Sequence, residues 1–174
     1  QIITMAGSDN PLYMKIVLNE LRQHGSFDTL FEMLSKNYGT TPLEAFSQVL
    51  YRIRKQLSDQ RVPEHFFFMF FGCLACTIDG LDGDLFYRAS RRLANEELLA
   101  LTKEQVCDMV YALARELEPF FVLDGNKILY RYDSFRRAFL SLAPHYIEAC
   151  HSMLSTAFAE MAIYTSESVE AVGN

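Results

Sequence analysis

The stretch that most limits what this chain can fold into is "EHFFFMFFGCLACTI", residues 64–78. Residues 66–78 form its longest apolar run, interrupted by Gly72 and bounded by Glu64 and Asp79. A helix built from them has no polar face, so it needs packed neighbours on every side. The run is too short to span a bilayer. Its period alone also suits a strand; its length, and Glu64 directly after Pro63, favour a buried helix.

Enough chain surrounds that helix to cover it. At 174 residues the sequence can build one good core, or two small subdomains sharing an interface. Hydrophobic residues are 50% and charged residues 22%, a balance that favours folding over disorder. The net charge of -6 argues against a nucleic-acid grip or adhesion to an acidic membrane as the bulk function. Cys73, Cys76, Cys107 and Cys150 fall on expected helices, with no secretory leader and no regular framework of spacings, which fits a reducing, cytoplasmic setting. The chain starts at Gln1, and Ile2, Ile3 and Met5 read as the tail of a helix, so a fragment of a larger protein is expected.

Residues 11–57 read as three helices. The first takes Asp9 or Asn10 as its cap and Pro11 at the first helical position, carries Leu12, Ile16 and Leu18, and stops at Gly25. The second covers residues 27–34 after Ser26. The third opens with Thr41, Pro42 and Glu44 and carries the stripe Leu43, Phe46, Val49, Leu50 and Ile53. "SDQRVP", residues 58–63, is polar and ends in proline, and is the expected hinge. Past the apolar helix, a short helix capped by Asn95 precedes a longer one capped by Thr102, with Val106, Met109, Val110, Leu113 and Leu117 on one stripe. "PFFVLDGNKILYRYD" then reads as two strands about an Asp124-Gly125-Asn126 turn. Helix, helix, helix, hairpin is the order of a winged helix. Helices over 134–142 and from Pro144 to about residue 164 follow, and the polar end "TSESVEAVGN" is expected to fray. The fold class expected is mainly α, with a helical subdomain (1–57), a winged-helix domain with one β-hairpin (58–142) and a trailing linker helix (143–174).

Motifs for chemistry are sparse. No glycine opens a G-x-x-x-x-G-K-[ST] run, so no catalytic motif for nucleotide hydrolysis is present. Cys73 and Cys76 are spaced C-x-x-C, but inside an apolar helix without a second pair or nearby histidines, and read as small core residues. "DGLDGD", residues 79–84, departs from the EF-hand spacing and reads as a loop between helices. His24, His65, His145 and His151 are far apart and lack a partnered nucleophile. The 103–118 helix would enter the groove of a DNA-binding winged helix, yet it carries Lys103 and Arg115 against Glu104, Asp108, Glu116 and Glu118, which opposes a phosphate backbone. The clustered arginines lie in "YRASRR" (Arg88, Arg91, Arg92) and "YRYDSFRRAF" (Arg131, Arg136, Arg137). They suit a phosphate, an acidic neighbouring domain or simple pairing with local acids.

In this order, "GSDNPLYMKIVLNELRQHGSFDTL" resembles the segment following the nucleotide-binding core of STAND-class P-loop NTPases of NACHT type, of the telomerase-associated-protein and nephrocystin kind. "ASRRLANEELLALTKEQV", "LEPFFV", "LYRYDSFRRAFL" and "CHSMLSTAFAEM" resemble their winged helix and the helices after it. The resemblance implies a regulatory and oligomerisation module of a signalling ATPase. Its expected partners are a preceding nucleotide-binding core, a following repeat domain and copies of itself, with neither nucleic acid nor membrane. ATP or ADP would be held by the parent protein, none by these residues alone. Asn10 and Pro11, with Ser8 and Asp9 in the turn, match the element that lies against the nucleotide; a proline-started helix offers free N–H groups and a positive dipole end there. The family often places a histidine after the wing in F-x-H-D-x-x-R, where it contacts the ADP phosphate. Tyr132 stands at that position, with Asp133 and Arg136 matching. A tyrosine hydroxyl can donate a hydrogen bond but brings no charge, which Arg131 or Arg136 would have to supply. A helical interaction scaffold that ignores nucleotide is the alternative, and winged-helix DNA binding a third reading.

Overall fold

Local capping chemistry sets where the helices of this computed structural model begin. Residues 7, 9–23, 38–92 and 96–172 are described; the helix expected over 27–34, Ser8, Gly25, His24 and the Asn95 cap lie outside them. Helix α1 (Pro11–Gln23) starts on Pro11, and Asn10 Oδ1 accepts the N–H groups of Leu12 and Tyr13. Helix α2 (Pro42–Asp59) opens with a complete capping box between Thr41 and Glu44. Helix α3 (Glu64–Cys76) follows a tight turn, and α4 (Gly83–Ser90) is capped by Asp82. The single turn α5 (Glu96–Leu99) leads into α6 (Lys103–Glu116), which has its own box from Thr102 and Gln105. The strands β1 (Phe121–Asp124) and β2 (Lys127–Tyr130) precede α7 (Asp133–Leu142) and α8 (His145–Val172).

The chain is therefore mainly α with one antiparallel hairpin, in the expected winged-helix order. Phe121 pairs with Tyr130 and Asp124 with Lys127, so the turn itself is Gly125-Asn126 and Asp124 belongs to the strand. Gly125 takes the positive φ (61°) that such a two-residue turn requires at its first position. Leu81, between α3 and α4, exchanges both backbone hydrogen bonds with Ile128 and gives the hairpin a third extended neighbour.

Helix α3 is the axle of the core, as its composition demands. Every residue from Phe66 through Leu74 is buried. Phe71 meets Phe67 at 4.8 Å between centroids, Phe139 of α7 at 5.7 Å and Phe121 of β1 at 6.1 Å. Gly72 lets α8 approach closely: a Cβ there would stand 2.5 Å from Cys150 Sγ. Phe46 of α2 is fully buried, stacked on Phe135 of α7 at 4.8 Å and edge-on to Phe120 at 5.5 Å. Each such buried ring contributes about 1.5–3 kcal/mol by removal from water. One contiguous cluster of buried side chains includes residues from all three expected stretches, 1–57, 58–142 and 143–174.

Several expectations are corrected. The inward stripe of α1 is Tyr13, Ile16, Val17 and Glu20, an i, i+3, i+4, i+7 series; Leu18 falls between its members and is exposed. Leu43 is in phase with the α2 stripe but sits in the first turn, in an open groove with Arg137 and Leu140, and is exposed. Ile78 lies beyond the end of α3 and is 94% exposed. Helix α8 continues through 165–172, which composition assigned to a fraying tail; at 28 residues it is about 42 Å long. Among the described residues no helix is long and apolar enough to cross a membrane.

The expected hinge, residues 58–63, forms an ordered turn. Arg61 adopts φ 59°, its N–H donates to Ser58 O at 3.0 Å, and Val62 N–H donates to Leu57 O at 2.9 Å. This pair of bonds closes α2 as a Schellman motif, with an arginine where glycine is usual.

Candidate functional site

The start of α1 satisfies itself. Asn10 N–H donates to Gly7 O, its carbonyl accepts from Met14, its side chain takes Leu12 and Tyr13, and Pro11 has no N–H. The expected row of free N–H groups is thus consumed by the cap. What reaches outward from this end of α1 is Lys15, whose Nζ lies 5.6 Å from the centroid of the Tyr132 ring.

Tyr132 joins β2 to α7. It is half-buried against Phe46, with centroids 6.0 Å apart, and serves as the N-cap of α7 without a side-chain cap bond. Among the described residues neither its hydroxyl nor Lys15 has a hydrogen-bond or ion-pair partner. Among the described residues, an ammonium and a hydroxyl without such partners therefore belong to neighbouring side chains, one of them the N-cap residue of α7, which has no side-chain cap bond. Asn10 and Pro11 reach Tyr132 through Lys15, a residue that sequence reasoning missed because no motif marks a lysine one turn into a helix.

Arg136 is directed elsewhere. It lines a groove of about 300 Å³ with Leu74, Thr77, Ile78, Leu129 and Tyr130, and lies 3.5 Å from Asp133. Arg131 donates to Phe121 O at 3.2 Å, bracing the hairpin. Neither supplies the charge beside Tyr132 that the sequence asked of them; Lys15 does. Arg137 pairs with Asp133 at 3.2 Å.

The other arginine cluster is structural. Arg88 pairs with Asp84 at 2.9 Å, Arg91 caps the carbonyls of Leu99 and Leu101 while stacking over Tyr87, and Arg92 pairs with Glu160 of α8. Lys103 meets the same Asp84 at 2.5 Å; the hydrogen bonds from Lys103 and Arg88 hold that carboxyl below its usual range. The 79–84 segment is a loop ending in the α4 cap, Asp82 Oδ1 accepting from Leu85 N–H at 2.7 Å. Among the described residues no cluster could hold a metal ion. His65 and His145 pack on Tyr146, at 6.4 and 4.7 Å, and His151 is exposed.

Two buried polar arrangements have no counterpart in the sequence reading. Glu20, fully buried on α1, takes two hydrogen bonds from Arg52 of α2 at 2.6 and 3.0 Å and one from the Tyr38 hydroxyl at 3.3 Å. Burial, then the charge of Glu20, pushes the Tyr38 hydroxyl well up. Arg52 also bonds Gln56, which donates to Glu116 of α6 at 2.6 Å, so the network runs from α1 through α2 into the winged helix. The second is a set of free thiols between α3 and α8. Cys73 is held up by its hydrogen bond to Cys150 and by burial, while Cys76 donates to Ile147 O at 3.8 Å.

No family model, curated protein or solved structure matches the chain, so its chemistry is read from this geometry.

Proposed function

We propose that this chain is the coupling module of a STAND-class, NACHT-type signalling ATPase of the cytoplasm. It would transmit the ATP or ADP state of a nucleotide-binding core outside these residues to a following repeat domain and to self-assembly. The supporting observation is the junction of Lys15, Tyr132 and the uncapped start of α7, where elements from both ends of the module meet at one anion-receptive spot. A phosphate oxygen there would accept from the tyrosine hydroxyl and the ammonium, replacing the histidine of the resemblance by a Tyr–Lys pair. The longer natural chain, purified and denatured, should release ADP or ATP in stoichiometric amount on chromatography. Lys15→Ala and Tyr132→Phe should each speed nucleotide release, the tyrosine by no more than about one hydrogen bond, ~1 kcal/mol. An empty protein that also fails to bind added nucleotide overturns the proposal.

A helical scaffold indifferent to nucleotide is the second reading. It draws on Asn10, whose cap consumes the N–H groups that would face a phosphate. It expects charge changes at exposed arginines such as Arg137 to alter partner binding with no response to nucleotide.

A further inference from the structure

We infer that α2 is an integral part of the winged helix and that α2 and α7 move as one body, so that no swing of this module pivots at residues 58–63. This deepens the coupling role proposed above; it rests on that reading for the existence of a swing, and not for the rigidity. Sequence divides the chain at 58–63, and a hinge there would part α2 from α7. Four observations oppose that motion.

The apolar face of α2 shares its core with the winged helix. Phe46 stacks on Phe135 and abuts Phe120, and Phe135 packs in turn on Phe120, Phe121 and Phe71. Val49, Leu50, Ile53 and Leu57 are buried with it in the same cluster. Second, the expected hinge is a closed Schellman turn whose N–H groups are engaged, leaving little slack to absorb a rotation. Third, the turn is bridged on its outer side: Arg54 pairs with Glu64 across it and lies 5.1 Å over the Phe68 ring. Fourth, the polar network crosses the same boundary, from Glu20 and Arg52 through Gln56 to Glu116. Hinges work where few packed contacts change; here rotation would open a close-packed aromatic interior and break a directional network together. A ligand shifts an equilibrium only by its differential affinity for the two states, about 10⁴-fold to carry 1:99 to 99:1. A rotation that exposed five apolar side chains and their partners would demand a far larger differential than that.

The test is hydrogen exchange read by mass spectrometry on the longer natural chain, with and without added ATP or ADP. Peptides of α2 and of α7 are expected to share one protection against exchange and to lose it together as denaturant rises. Phe46→Ala should lower both by about a hundredfold or more, and the milder Phe46→Leu by about tenfold should the alanine variant fail to fold. Exchange in α2 that quickens with nucleotide, or with either substitution, while α7 keeps its protection overturns the inference. A chain that binds no nucleotide removes the coupling role alone, because the α2–α7 comparison is read equally in the nucleotide-free protein.

Discussion

The two flanks of α2 differ in chemistry, although Tyr13, Ile16 and Val17 of α1 are buried in the same apolar cluster. Toward α7 it offers Phe46 to a nest of rings, contacts that are non-directional and survive small shifts of angle. Toward α1 it offers Arg52 to a carboxylate with no exposure to water, a contact that works at one distance and one orientation. The aromatic flank supplies most of the cohesion. The ionic flank adds little net stability, because desolvating Glu20 offsets much of the attraction, but it fixes how α1 lies along α2.

That contrast breaks most visibly at Glu20. Glu20→Ala leaves Arg52 and Tyr38 without their acceptor and should cost about 3–5 kcal/mol in denaturant unfolding. Replacing Glu20 and Arg52 together by leucine should cost far less or even stabilise, whereas no pairing of polar substitutions rescues the Phe46 flank. A double mutant as unstable as Glu20→Ala alone would mean that the ion pair carries cohesion after all.

The α3–α8 interface sharpens the comparison from the apolar side, since it tolerates no added volume. Gly72→Ala drives a methyl into Cys150 Sγ. Overpacking of about 1–3 kcal/mol is set against a gain of about 1 kcal/mol in helix propensity, for a net loss of up to about 2 kcal/mol. Cys150→Ala in the same chain should recover most of it, and failure to do so would place the strain elsewhere. A smaller effect of opposite sign is expected at the Schellman turn, where Arg61→Gly relieves a positive φ and should raise the unfolding free energy by up to about 1 kcal/mol.

The last expectation vanishes at neutral pH. Burial raises the Cys76 thiol from 9.0 to about 11, and Cys73, Tyr38 and Tyr130 are raised as well. For groups with raised folded values, the stabilising contribution is complete below the unfolded value and is lost as pH rises through the folded one. Melting temperatures should therefore hold from pH 7 to about 9 and fall from there toward 11. Cys76→Ala should remove the Cys76 part of that fall.

What could be read beforehand was local. Thr41 with Glu44, Thr102 with Gln105, Asn10 with Pro11, and the glycine-containing turn announce element boundaries through interactions between residues two to four apart. The apolar-all-round helix announced its own burial. What could not be read depended on partners distant in sequence: Leu43 belongs to the right stripe but stays exposed in a groove shared with Arg137 and Leu140, and Glu20 carries no signal until Arg52 is found 32 residues away. Tyr132 could be singled out by resemblance. Its cation could not, since Lys15 is distant from it in sequence and meets it only in the fold.

The hairpin tip has a practical use that follows from its geometry. A side chain built at Gly125 would have nothing within 4 Å, while just behind it the Tyr111 hydroxyl accepts from Gly83 N–H and donates to Asn126 O at 3.0 Å, mooring the wing to α6. A fluorophore or affinity handle spliced in at this point projects into solvent from a firmly tethered base, so its orientation would report on the whole module rather than on a loose loop.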